Sequence, residues 1–258
     1  MSEQELPPWE NDPLSSFFKD AEFNDRASSL NLPKVYALLK QVHSTFQRVE
    51  EAVEKDHREE LLIPRFLIIR TRSSFLAAIR LAMSGQLSES YAIFRVAIEQ
   101  AWYALHIAKD PQPPERSQVW LCRNHNDASK AKCKNEFTVQ KVRSTHEALD
   151  AITAKILHQL YERTIDFGAH PNQMGLLASM RRSETEKEIN YQVGILHPDL
   201  LALVATLKMA VEVAVGVLKV FQLIFPERFQ PMSLDAKIEG IVKDLKSAFR
   251  QYVPKAKQ

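Results

Sequence analysis

Arg72, Arg95, Glu99, His106, Arg163 and His170 are charged or titratable side chains that fall on or beside apolar helix faces, and they are the residues best suited to chemistry in this sequence. Charges are rarely buried unpaired. Arg95 and Glu99 stand at i,i+4 and neutralise each other. The remaining arginines outnumber the inward carboxylates, and Glu89, Glu162 and Asp166 are directed away from the inner arcs. An excess of buried positive charge is costly unless an anion or another acid answers it. Two readings follow. Arg72, Arg95, Glu99 and His106 could line a cationic pocket for a phosphate or another anion. Alternatively, they form an internal ion-pair network that fixes how the helices pack.

The elements that position these residues can be read from periodicity and capping. Residues 61–110 read as two long helices joined at Ser84-Gly85-Gln86, with Pro64 in a first turn and Gly85 as a left-handed cap. Ile68, Phe75, Leu76, Ile79 and Met83 share an arc of the first helix, with Arg72 in its middle. Tyr91, Phe94, Ile98, Trp102 and Leu105 form the stripe of the second, with Arg95, Glu99 and His106 along its edge. This second helix is apolar on its other sides as well, the mark of a central buried helix.

Upstream, residues 1–17 read as a flexible segment, with a short helix over Leu14–Leu30 and a longer one from Pro33 to about Glu60, whose acidic end is solvated. Its buried face holds Val35, Leu38, Leu39, Val42, Phe46 and Val49. Downstream, residues 116–143 carry a local net charge of +5, which reads as a solvated helix face rather than a phosphate-binding strip. Residues 137–167 read as one helix with Val142, Leu149, Ile152, Ile156, Leu160, Phe167 and Arg163 on its inner face. Pro171 pushes His170 out of the helix, beside Arg163. The alternation Ile189, Tyr191, Val193, Ile195 predicts a β-hairpin over about 176–196, packed against the bundle. Residues 199–225 form a very apolar helix, read as buried because Lys208, Glu212 and Lys219 interrupt it. Residues 233–252 make a last amphipathic helix, and 253–258 a loose tail. The fold class predicted is all-α: an antiparallel helical bundle with one small β-hairpin insertion, a single domain over 18–252.

Composition narrows the function classes. A hydrophobic content of 45% and a charged content of 26% are ordinary for a globular protein. Six glycines argue against a Gly-rich nucleotide loop, and a net charge of +2 does not by itself imply nucleic acid. Two cysteines and the lack of a signal peptide predict a reducing cytoplasm. Cys122, His125 and Cys133 lack zinc-site spacing. The sequence lacks the two Glu-x-x-His motifs of a di-metal bundle, and no nucleophile elbow appears. No metal and no cofactor are expected.

The segment RSSFLAAIRLAMSGQLSESYAIFRVAIEQAWYAL, followed by YERTIDFGAHPN, resembles bacterial helical-bundle families of unknown function. In those families an Arg-containing helix, a Gly turn and an "R…E" helix precede a Tyr…His-Pro element. They are similar to the HEPN group (higher eukaryotes and prokaryotes nucleotide-binding), and the resemblance covers about residues 60–175. The group's signature is an arginine, a polar residue, four to six further residues and a histidine. Arg163, Thr164 and His170 match that spacing, with Thr164 in place of the more usual Asn, Asp or His. The resemblance implies a metal-independent ribonuclease or nucleotide-binding component of an antiphage or toxin system. His170 would act as general acid or base on an RNA 2′-hydroxyl, and Arg163 would stabilise charge on the phosphoryl oxygens. It also implies a homodimer. The partners expected are RNA or a nucleotide, a second copy of the chain, or a partner protein, and no membrane. The alternative function is a non-enzymatic helical module that binds a small anion or a partner protein, its inward arginines forming a salt-bridge network.

Overall fold

The computed structural model describes residues 10–169, 173–185, 188–197 and 199–252. Helices follow in the order α1 (Pro13–Asn31), α2 (Pro33–Glu54), α3 (Leu62–Ser84), α4 (Leu87–Ala108), α5 (Glu115–Leu121), α6 (Asp127–Glu136), α7 (Val139–Glu147), α8 (Ala151–Thr164), α9 (Gln173–Ser179), α10 (Leu200–Ile224), α11 (Pro226–Phe229) and α12 (Leu234–Phe249). Strands β1 (Met180–Glu184) and β2 (Ile189–Val193) lie between α9 and α10. The architecture is the all-α bundle with a small hairpin that the pattern predicts.

The α3–α4 hairpin is the centre of the bundle. Gly85 adopts φ 99°, where a Cβ would be strained. Its N–H reaches the Ala82 carbonyl and the Gln86 N–H reaches Leu81, closing a Schellman end. The side chains of α1 complete this cap. Asn24 Nδ2 donates to the Ser84 carbonyl at 3.0 Å and Ser28 Oγ to Met83 at 2.9 Å, while Arg80 pairs with Asp25. These bonds satisfy carbonyls that a helix end leaves open. Helix α1 begins at Pro13, with Asp12 capping Leu14 and Ser15, so it extends into the segment expected to be loose.

The buried face of α3 differs from the predicted arc. Thr71, Ser74, Ala78 and Ala82 are buried along with Ile68 and Phe75, whereas Leu76, Ile79 and Met83 are only partly covered. Small residues let α3 approach Ala97, Ala101 and Ala104 of α4 closely, and an arc drawn through the largest side chains misses that seam. Helix α2 buries the predicted face in full.

Helix α10 contacts α2, α3, α4, α8 and α12. Its length and composition would suit a membrane span, but the greater part of it is buried inside the bundle. Gly216 lets α8 come close, since a Cβ there would lie 2.8 Å from Leu157 Cδ1.

The predicted helix over 137–167 is broken. Leu149 and Asp150 both donate their N–H groups to the His146 carbonyl, and the Asp150 side chain then caps α8 through Thr153. The break resets the helical phase. His146, Leu157 and Tyr161 are buried, while Leu149, Ile152 and Ile156 are exposed, against expectation. Arg163 shares their exposed face rather than an inner one.

The hairpin pairs Met180 with Val193 and Glu184 with Ile189. Among the described residues its predicted packing against the bundle is not found: Ile189, Tyr191 and Val193 remain half exposed or more. The tie to the bundle at its exit is the His197 N–H, which donates to the Gly85 carbonyl at 2.7 Å. One end is held, and the apolar face is left uncovered.

Candidate ligand-binding site

Of the six residues chosen from the sequence, the five that lie among the described residues do not form one cluster. Arg72 pairs with Glu50 of α2. Glu50 lies at the acidic end expected to be solvated, yet it is mostly buried, and that burial raises its pKa against the opposing pull of Arg72. The carboxylate that Arg72 required is therefore supplied by α2.

Arg95 and Glu99 pair across one turn of α4, Nε to Oε1 at 2.8 Å. Tyr161 joins them from α8: its hydroxyl donates to Glu99 Oε1 at 3.1 Å, and the Arg95 guanidinium lies 5.2 Å from its ring centre. Burial, with the Glu99 charge beside it, pushes the Tyr161 pKa up to about 12. The phenol therefore stays protonated as the donor in this cluster.

His106 belongs to a different group, at the far end of α4. Its Nε2 is 3.1 Å from Glu136 Oε1 and its Nδ1 is 2.7 Å from Thr145 Oγ1. Arg116 donates both to Glu136 and to the His106 carbonyl, at 2.9 and 2.8 Å. Burial and the Arg116 charge hold the His106 pKa below its ordinary value. A neutral ring protonated at Nε2 donates to the Glu136 carboxylate. Arg116 and Lys141, read as part of a basic face, converge on Glu136 and so are partly neutralised.

Arg163 is the exception. It is exposed and makes no ion pair among the described residues. His170, its expected companion, lies outside the described residues. Thr164, the polar residue of the proposed motif, is fully buried and donates to the Tyr161 carbonyl at 2.6 Å. It is committed to the helix end and closed off from solvent.

Arg163 opens onto a cavity of about 350 Å³ between α4, the end of α8 and α10. Leu87, Tyr91, Phe167, Ala202, Ala205 and Met209 make most of its wall, with Ser88, Thr206 and His197 completing it. This volume lies within the range of small-molecule sites. The wall is held open by a π-turn over Ile165–Ala169. There Gly168 sits so close to α4 that a Cβ would lie 1.9 Å from the Ser88 carbonyl oxygen. The π-turn brings Phe167 onto Tyr91, with ring centres 5.5 Å apart. Two hydroxyls of the wall are satisfied internally. The Tyr91 hydroxyl lies 3.2 Å from Thr206 Oγ1, which itself donates to the Ala202 carbonyl at 2.9 Å, so the phenol is the donor.

His197, Tyr91 and Thr206 carried no site signal in the sequence, since each reads as part of a stripe or a loop. Tyr161 did carry one, as the tyrosine ahead of His-Pro. Among the described residues no group of His, Cys, Asp or Glu could hold a metal ion.

The fold and site thus define a helical bundle with an apolar-walled cavity whose described lining holds one arginine, Arg163, and no lysine. No protein family, curated protein or solved structure matches the chain.

Proposed function

We propose that this chain is a helical binding module that takes a small anion at Arg163, and that the other candidate arginines are structural. One observation carries the reading. Arg72 and Arg95 each have a carboxylate in contact, whereas Arg163 has none among the described residues and faces a cavity. An exposed guanidinium at the edge of an apolar wall attracts an anion and holds it through paired N–H donors.

The test is anion binding by calorimetry, with inorganic phosphate and acetate as probes, on wild type, Arg163→Gln, Arg72→Gln and Arg95→Gln. Binding lost in Arg163→Gln alone supports the reading. Binding that survives in Arg163→Gln overturns it.

A HEPN-like, metal-independent ribonuclease is the second reading. The observation in its favour is again the exposed Arg163, which has no ion pair among the described residues and lies seven positions before His170. It is weakened by Thr164, whose side chain is buried. RNA cleavage in EDTA that leaves 2′,3′-cyclic phosphate ends, and is lost in both Arg163→Ala and His170→Ala, would establish it in place of the binding module.

A further inference from the structure

We infer that the ligand of the α4–α8–α10 cavity is an amphipathic monoanion, a carboxylate on an aliphatic or aromatic body, rather than a nucleotide or another multiply charged phosphate. The inference rests on the anion-binding reading above and names the ligand class for that site.

Charge sets the first limit. Among the described residues lining the cavity Arg163 is the only arginine or lysine, so one negative charge can be met directly. A second or third phosphate charge would enter a wall whose described residues offer no further Arg or Lys to balance it. The wall's chemistry sets the second limit. Leu87, Phe167, Ala202 and Met209 present carbon, and the Tyr91 and Thr206 hydroxyls are already engaged with each other and with the Ala202 carbonyl. A nucleobase or a sugar brings several donors and acceptors, and burying them without partners is unfavourable. An alkyl or aryl body loses nothing there and gains by leaving water. Position sets the third limit. The cation is exposed at the rim while the carbon surface lies inside, so a head-out, tail-in ligand satisfies both at once.

Decanoate is the probe, measured by calorimetry against decan-1-ol, which has the same body without the charge, and against inorganic phosphate and AMP. Saturable binding of one decanoate per chain is expected. The alcohol should bind about tenfold more weakly, the increment of one charge-assisted contact. Arg163→Gln should bring acid and alcohol to the same affinity. Ala205 is exposed and lines the cavity, so Ala205→Phe should fill it without disturbing the core and abolish the binding of both. Ala202→Met serves the same purpose if the first variant loses its helical circular dichroism.

Decanoate binding that neither cavity variant weakens would place the ligand elsewhere and overturn the inference. Arg163-dependent binding of phosphate or AMP, with no binding of decanoate, would also overturn it while leaving the anion-binding reading intact. If no anion binds at all, both fall.

Discussion

At the scale of single residues, most of the charged side chains that looked functional serve the fold. Glu50 and Arg72 illustrate the cost of separating such a pair. Arg72→Ala leaves a mostly buried carboxylate without its cation and is expected to destabilise the protein by roughly 2 kcal/mol, between the values typical of surface and fully buried pairs. The double variant Arg72→Ala, Glu50→Gln should recover part of that loss, and urea unfolding of the four proteins measures the coupling. His146 gives the fold an acid limit. Its Nδ1 accepts the Trp102 indole N–H at 3.2 Å in a fully buried position, and burial lowers its pKa from 6.5 to about 4. Between those values the unfolded chain binds a proton that the folded chain refuses. The stabilising contribution is therefore complete above about pH 6.5 and is lost as the pH falls towards 4, amounting to on the order of 3 kcal/mol. Burial lowers the pKa of His106 and His43 as well, so their contributions run in the same direction. In His146→Gln, which keeps an acceptor for Trp102, urea unfolding at about pH 7 and about pH 4.5 should show a smaller difference than in wild type.

At the scale of elements, the parts that could be read in the sequence are those whose ends are written in residue types. Pro33, Pro64, Gly85 and Pro226 mark real helix boundaries, and the alternation after Ile189 marks a real strand. What failed was phase. Asp150 ends one helix and caps the next within a few residues, so extrapolating the period of α7 assigned Leu149, Ile152, Ile156 and Arg163 to the wrong side. The α3 seam failed for the opposite reason, because its contact is made by small residues that contribute little to a hydrophobic pattern. Glu50 was misread because periodicity does not show which neighbouring helix will cover a charge. The π-turn is a feature no pattern announces, and it depends on Gly168. Gly168→Ala should force Ile165–Ala169 away from Ser88, costing about 1–3 kcal/mol and disturbing the cavity. Thermal unfolding together with loss of decanoate binding would register both effects. Gly85→Ala should cost about 1 kcal/mol through its positive φ, read by thermal unfolding.

At the scale of the whole molecule, burial is uneven. The core runs through α2, α3, α4, α10 and α12, while β2 carries the exposed apolar side chains Ile189, Tyr191 and Val193. A two-stranded sheet is marginal on its own. The β1 and β2 amides are therefore expected to exchange with solvent far faster than those of α4 and α10 in native-state hydrogen exchange. Equal protection of the two groups would show that the hairpin is as firmly fixed as the core.

The fastening of α1 bears on the order in which the chain can settle as it is made. Ser28 is its only buried residue, and its ties to the bundle run to Met83, Ser84 and Arg80, 55 to 60 positions further along. As the chain is made, α1 therefore emerges well before α3, the helix that holds it, and cannot make these ties until α3 has also emerged.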